Sequence, residues 1–210
     1  MILSDQVRGL PIMGGDFSHG DGTTSDRFLR SDRLLLRPWC EADLEPFAAM
    51  NADAAVMEYF SKTLNRQESD SLATRFRDLL DRQGYGLWAL EVPDVASFIG
   101  FVGLHHETFE APFTPCVEIG WRLARAHWGK GYATEAARGA LRYGFERLGL
   151  DEIVSFTVPD NTRSRAVMER IGMTRSEAED FDHPKLPVGH RLRRHVLYRI
   201  RRSGDPRAMG

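Results

Sequence analysis

Residues Cys116 to Leu148, CVEIGWRLARAHWGKGYATEAARGALRYGFERL, read as a strand, a glycine-interrupted turn and a helix in immediate succession. Val117, Ile119, Trp121 and Leu123 alternate with Cys116, Glu118, Gly120 and Arg122, the period-two pattern of a strand with one apolar face. Gly129 and Gly131 then bracket Lys130. Without β-carbons they adopt conformations that other residues resist, and they let main-chain N–H groups come close to a ligand. Beyond them Ala133, Ala136, Ala137, Ala140, Leu141, Gly144, Phe145 and Leu148 recur at three- and four-residue spacing. That spacing predicts a helix with this stripe turned inward and Glu135, Arg138, Arg142 and Glu146 facing water. First-turn N–H groups lack helical partners and carry the positive end of the helix dipole, so strand, turn and helix together predict a phosphate or pyrophosphate site. A plain strand-to-helix corner would use the same glycines for the bend alone.

The residues after the turn narrow the anion. A nucleotide-hydrolysing phosphate loop needs Gly-Lys followed by Ser or Thr, whereas Lys130 is followed by Gly131. A dinucleotide fingerprint fits Gly129 and Gly131 but meets Thr134 where its third glycine belongs, and the preceding strand is amphipathic rather than apolar on both faces. A dinucleotide-binding enzyme therefore stands as the lesser alternative.

The runs Glu118-Ile119-Gly120-Trp121 and Trp128-Gly129-Lys130-Gly131-Tyr132-Ala133-Thr134-Glu135-Ala136 resemble the acyl-CoA-binding core of the GNAT N-acetyltransferases, in their RimJ/RimL-like branch. The family pattern there is Gln or Arg, two residues, Gly, one residue, then Gly or Ala. Trp128 takes the place of its first member, while Gly131 and Ala133 keep the others. A second block, Asn161-Thr162-Arg163-Ser164 leading to Ile171-Gly172-Met173, is similar to the family's Asn-x-x-Ser/Ala helix and its close. The resemblance runs from about Ser31 to Ile200. It implies an α+β fold, a mixed and mostly antiparallel sheet flanked by helices, with the Glu118 and Val154 strands splayed to admit pantetheine. It also implies acetyl-CoA as acyl donor, held by Ile119, Trp121, Leu123, Trp128, Gly129, Lys130, Gly131, Tyr132, Ala133, Thr134, Asn161 and Ser164, and a primary amine as acceptor.

Acetyl transfer to an amine needs a base, a donor for the oxyanion and a proton for the departing thiolate. Glu118 is the expected base, because its strand leads into the cofactor turn; its structural alternative is an ion pair with Arg122 on the same face. A main-chain N–H of strand 119–123 is the expected oxyanion donor. The family often carries a tyrosine acid in the helix after the Asn motif, but Met168 stands there and cannot donate a proton. Ser164 is the remaining candidate, either for that proton or for the cofactor, or as reinforcement of the Asn161 cap. Loss of the tyrosine also motivates a second class of function, an acyl-CoA-binding sensor without turnover.

The rest of the chain sets the frame. With 210 residues, 42% hydrophobic, the expectation is one domain over 31–202, a flexible leader at 1–30 and a flexible tail at 203–210. A net charge of −2 speaks against nucleic acid, and the arginines at 191, 193, 194, 199, 201 and 202 alternate with apolar residues as a solvated strand face would. No window suits a membrane span or export signal, and Cys40 and Cys116 suit neither a disulfide framework nor a metal site, so a cytoplasmic protein is expected. A homodimer is admitted. His105 and His106 are strand neighbours pointing to opposite faces, which excludes them as a metal pair. His183, His190 and the acidic run Glu177, Glu179, Asp180 and Asp182 lie where the family often lines its acceptor pocket, though a solvated charge run describes the acids better. For Trp39, Tyr59 and Phe60 core packing is favoured over the acceptor side.

Overall fold

Alternation in the strands assigns the layers. A computed structural model describes residues 28–202; the expected tail and most of the expected leader lie outside the described residues. Leu29–Arg30 (β1), assigned to the leader by sequence, pair instead with Leu35–Arg37 (β2). Next come α1 (Leu44–Ala52), entered through a 3-10 turn at Glu41–Asp43, and α2 (Arg66–Gln83). Asn65 caps α2, accepting from the Glu68 N–H while Glu68 returns a bond to the Asn65 N–H, and Gly84 closes it in the left-handed region. The hairpin of β3 (Leu87–Val92) and β4 (Ala96–Glu107) turns at Pro93-Asp94, the break that the sequence pattern places between strands over 86–92 and 97–105.

In β3, Trp88 and Leu90 enter one core while Leu87 and Ala89 enter another. The sheet is therefore packed on both faces. One core lies under α3 (Tyr132–Glu146), whose Ala136, Ala137 and Ala140 are fully buried against Trp88, Leu104, Ile119 and Ile153. The other lies under α1 and α2, where Trp39, Phe47, Phe76 and Phe101 meet with ring centroids 4.9–6.3 Å apart. Burying large aromatic and aliphatic side chains on both faces is the main source of stability of such a sheet.

The strand order is β1-β2-β3-β4-β5-β6-β9-β7, with β5 at Cys116–Leu123, β6 at Glu152–Thr157, β7 at Thr174–Arg175 and β9 at Arg194–Arg201; β8 (Phe181–Asp182) pairs with β9 off this path. All pairings are antiparallel except β5–β6, which α3 connects as a parallel crossover. The last helix, α4 (Thr162–Arg170), follows β6. The sequence pattern predicts a last strand pair over 174–181 and 190–200, and the hairpin found there is more broken than that. Only short β7 and β8 form opposite β9, separated by a 3-10 turn at Glu177–Glu179. Acidic side chains there are drawn onto the arginines of the sheet: Asp180 on Arg175, Glu179 on Arg199, and Asp182 on Arg193 and Arg194. The arginines of β9 are thus an ion-paired ladder, completed by Glu152 holding Arg199 and Arg201.

Strand β5 departs from its expected character. Its Ile119 face packs under α3, but the opposite face is buried too, with Glu118 at 1% and Arg122 at 5% exposure. Two charged residues on a covered face mark where the sheet is given to something other than packing.

Candidate active site

Strands β5 and β6 meet at one register pair, Glu118 with Val154, and just beyond it the Ser155 hydroxyl donates to the Ile119 carbonyl at 2.9 Å. Past that point they part, and Gly120, Trp121, Arg122 and Leu123 face Phe156 and Thr157 across a groove of about 1570 Å³. This is the splay that the family resemblance implies. Along that stretch β5 keeps β4 on one side only, so alternate main-chain N–H and C=O groups on its other edge point into the groove.

The groove continues over the glycine turn. Gly129 and Gly131 have φ of +73° and +81°, backbone that β-carbon-bearing residues resist, and Gly131 is the N-cap from which α3 starts at Tyr132. Space above Gly129 is open to at least 4 Å, while an Arg33 guanidinium nitrogen stands 3.4 Å from where a Gly131 β-carbon would be, so the turn at the positive end of α3 is open on the Gly129 side and flanked by a cation on the other. Trp128 fixes the turn by donating from Nε1 to the Leu123 carbonyl at 2.8 Å. Glu135, expected to face water, instead ties the turn to the first hairpin. It accepts from the Ser31 hydroxyl at 2.7 Å and the Arg33 main chain at 2.9 Å, and pairs with the Arg33 guanidinium at 2.6 Å. These contacts hold its carboxyl below the usual range against the opposing pull of burial.

At the fork, Glu118 meets a residue that sequence reasoning missed. His105, its cross-strand partner on β4, places Nε2 3.1 Å from Glu118 Oε2 and 3.3 Å from Glu107 Oε1, and Glu107 in turn lies 3.7 Å from Lys185 Nζ. The Glu118 contact is close but poorly aligned, leaving Oε2 without a good hydrogen bond. Burial alone would depress the His105 imidazole, but the Glu118 and Glu107 carboxylates outweigh it and raise it to about 9. Burial raises the Glu118 carboxyl, with His105 opposing. Burial also works against ionised Glu107, but His105 and Lys185 overcome it and hold that carboxyl low. One ligand atom from each of His105, Glu107 and Glu118 falls within 4.8 Å of the others, so the same trio has the donors to hold a cation. His106 points the other way, as predicted, to the Tyr85 hydroxyl at 2.7 Å.

The groove's far wall comes from the segment between α1 and α2. Tyr59 and Phe60 line it, whereas Trp39 is core, donating to the Leu87 carbonyl at 2.7 Å. Arg163 of α4 bridges the walls, paired with Glu58 at 2.8 Å and lying 4.5 Å from the Trp128 ring centroid.

The sequence matches the acetyltransferase (GNAT) domain over residues 33–174. The chain belongs to the GNAT acetyltransferase family. YkkB of Bacillus subtilis (strain 168) is 33% identical over 150 residues, 69% of this chain and 84% of that one. A GNAT-family acetyltransferase structure from Bacillus anthracis superposes with a TM-score of 0.69 at 27% identity, over 83% of this chain and 98% of that one. Mycobacterium smegmatis RimJ in complex with CoA-disulfide shares the fold with a TM-score of 0.65 at 22% identity, over 82% of this chain and 84% of RimJ. The protein is an N-acetyltransferase of mixed α+β fold, and the dinucleotide alternative loses its ground.

In this acetyltransferase Glu118, Trp121, Leu123, Trp128, Gly129, Gly131, Tyr132, Ala133, Thr134, Asn161 and Ser164 all border the groove. Two expected contacts do not. The Ile119 side chain turns into the core under α3 because strand residues alternate, leaving only its main chain near the fork. Lys130 is exposed outside the lining, and its carbonyl accepts from Arg33. The Asn161 amide is held at both ends, its oxygen accepting the Ser164 N–H at 3.2 Å as an N-cap and its nitrogen donating one N–H to the Thr157 hydroxyl at 2.9 Å. Met168 lies buried in the lining and offers no proton. The supposed Glu118–Arg122 pair does not form; Glu118 faces His105, and Arg122 donates to Asn51 Oδ1 at 2.6 Å. His183 does not line the groove either. It packs 4.6 Å from the Phe109 ring and 5.1 Å from that of His195, where burial drives the two histidines down to about 4 and 3. His190 lies outside the lining, accepting from the Leu192 N–H. Among the described residues no helix is long and apolar enough to cross a membrane, and both cysteines are free.

A signal for His105 was present. Directly after the apolar run from Phe98 to Leu104, His105 and Glu107 are polar residues two apart, hence on one face, in the hairpin partner of the Glu118 strand.

Proposed function

We propose that this enzyme transfers the acetyl group of acetyl-CoA to a primary amine, of a peptide N-terminus or a small molecule, by direct attack. In this reading Glu118 is the base and His105 positions it. The observation that carries the reading is a carboxylate 1% exposed, set at the fork of the sheet and facing the groove that holds the glycine turn.

Support for the donor comes from charge and shape. Arg30, Arg33, Arg138, Arg142, Arg163 and Arg170 line the groove, suiting the phosphates of CoA, while the turn amides suit its pyrophosphate. The free edge of β5 suits the amide-bearing pantetheine arm, and family members use acetyl-CoA.

The chemistry follows from the protons. An amine reaches the site as ammonium. Burial raises the proton affinity of Glu118 toward that of its client, and the His105 imidazole opposes that rise. Glu118 takes one proton, directly or through water. The amine nitrogen forms its bond to the thioester carbon, and a main-chain N–H on the edge of β5 donates to the oxygen as it gains charge. When the carbon–sulfur bond breaks, the nitrogen's second proton goes to the thiolate through water or the Ser164 hydroxyl, which has no protein partner among the described residues. No tyrosine acid is required, which removes the reason for a sensor without turnover.

Glu118→Gln tests this. Acetyl-CoA affinity by calorimetry should be preserved while kcat falls steeply; a variant with wild-type kcat would remove Glu118 from the chemistry.

A further inference from the structure

Arg122 is the second charged residue on the covered face of β5, and among the described residues it has no carboxylate partner. Nη1 donates to Asn51 Oδ1 at 2.6 Å, and the guanidinium lies 3.9 Å from the Phe60 ring centroid and 5.4 Å from that of Phe101. Nε is buried without an acceptor. Asn51 cannot turn to meet it, because its Nδ2 is held on the Ser69 hydroxyl at 2.9 Å. Other arginines tucked against the sheet are matched by acids: Arg37 by Asp43 and Glu91, Arg175 by Asp180, and Arg199 by Glu152 and Glu179. With burial unopposed, the Arg122 guanidinium is driven down to about 9. A buried cation left without an anion is costly, and one facing open space is placed to receive its counter-charge from a ligand.

Arg122 does face open space. It lines the groove beside Glu118, and it also lines a second cavity of about 510 Å³ between residues 57–64 and α2. Lys62 and Arg75 border that second cavity, and Glu68, the carboxylate there, is engaged by Lys62. The surroundings are net positive and lie on the α1–α2 side of the sheet, across from the α3 core.

We propose that Arg122 anchors the acceptor, and that the acceptor is an amine carrying a carboxylate several bonds from its nitrogen. This rests on Glu118 being the base. Glu118 and Arg122 leave the same face of β5 with Cα atoms ~13 Å apart at ~3.3 Å per residue. Amine and carboxylate must then sit at opposite ends of an extended molecule, which a free α-amino acid, with both groups on one carbon, does not provide. A guanidinium held by Asn51 and Phe60 offers a fixed planar fork to that carboxylate.

The test begins with acetyl-CoA titrated into the wild-type protein and into Arg122→Gln and Arg122→Lys. Two matched pairs are then compared as acceptors, and as ligands of the CoA-saturated protein: 6-aminohexanoate against 6-aminohexanamide, and alanyl-glutamate amide against alanyl-glutamine amide. The expected result is at least a tenfold preference for the acid in one pair, lost in Arg122→Gln, partly kept in Arg122→Lys, with acetyl-CoA affinity unchanged. The favoured pair tells whether the source is a small acid or a peptide. Wild-type protein that treats acid and amide alike in both pairs, whether it takes them well or not at all, overturns the anchor, as does a preference that survives Arg122→Gln. Failure to bind acetyl-CoA strikes instead at the transfer reaction itself.

Discussion

The glycine turn and the Glu118 end of the carboxylate–histidine cluster border one groove, yet turn and cluster are built in opposite ways. The turn is made of main chain: Gly129 and Gly131 in positive-φ backbone, open space above Gly129 and helix α3 behind. Its binding power is a fixed dipole that does not titrate. The cluster is made of side chains from two strands, nearly closed to water, and all three members have shifted proton affinities. In the function proposed above, recognition of the cofactor falls to geometry and proton handling to electrostatics. Each should fail in its own manner.

The sharpest separation comes from Glu118→Gln. Loss of a general base typically costs 10²–10⁴-fold in rate, and acetyl-CoA affinity, assigned to the turn in the proposed function, should stay within about twofold. His105→Gln is next, with a loss on the order of 10-fold in kcat/KM. Removing the positive neighbour raises the Glu118 carboxyl further, so the acid limb of the pH–rate profile should move to higher pH. An unmoved limb would reduce His105 to packing. From the other side, Gly131→Val forces a branched residue into φ +81°, a strain on the order of 1–3 kcal/mol. It should weaken acetyl-CoA binding about 10-fold or more while the pH profile keeps its shape.

Stability should carry the mark of the titrating side chains and not of the turn. His105 is raised from 6.5 to about 9, so its contribution is complete below pH 6.5 and is lost as pH rises through 9. His183 and His195 are lowered, so their contribution is complete above 6.5 and is lost as pH falls toward 4 and 3. Denaturant titrations across pH 4–10 should show both arms, with His105→Gln flattening only the alkaline one. The smallest expected effect is none: if a proton joins His105 to its carboxylates, exhaustive chelation leaves the rate unchanged. Loss of activity restored by a divalent ion would reassign the trio as a metal site.

The same division governs what could be read from the chain. Strand, turn and helix 116–148 were legible because that site is contiguous: Gly129, Gly131 and the alanine stripe each act within a few residues of one another. The Asn161 cap was legible for the same reason. Glu118 could be picked out but its partner could not, since His105 meets it only through the β4–β5 register, and two neighbouring histidines invited a metal argument instead. Arg122 was matched with the nearest acid on its face, whereas the covering helices supplied Asn51, 71 residues away. The broken final hairpin escaped for a related reason. Its acids answer to arginines on β9 and β7, a tertiary pull that overrides strand pattern.

The single rung between Glu118 and Val154 makes the sheet two half-sheets joined at a pivot. A ladder joined at many rungs resists opening along its whole length, whereas one joined at a single rung concentrates its compliance there. The width of the gap then becomes a soft mechanical coordinate governed by the Ser155–Ile119 bond, and a molecule lying between the halves serves as the missing rungs. Amide exchange along residues 120–123 should slow when acetyl-CoA binds, as though the ligand were a strand of the sheet.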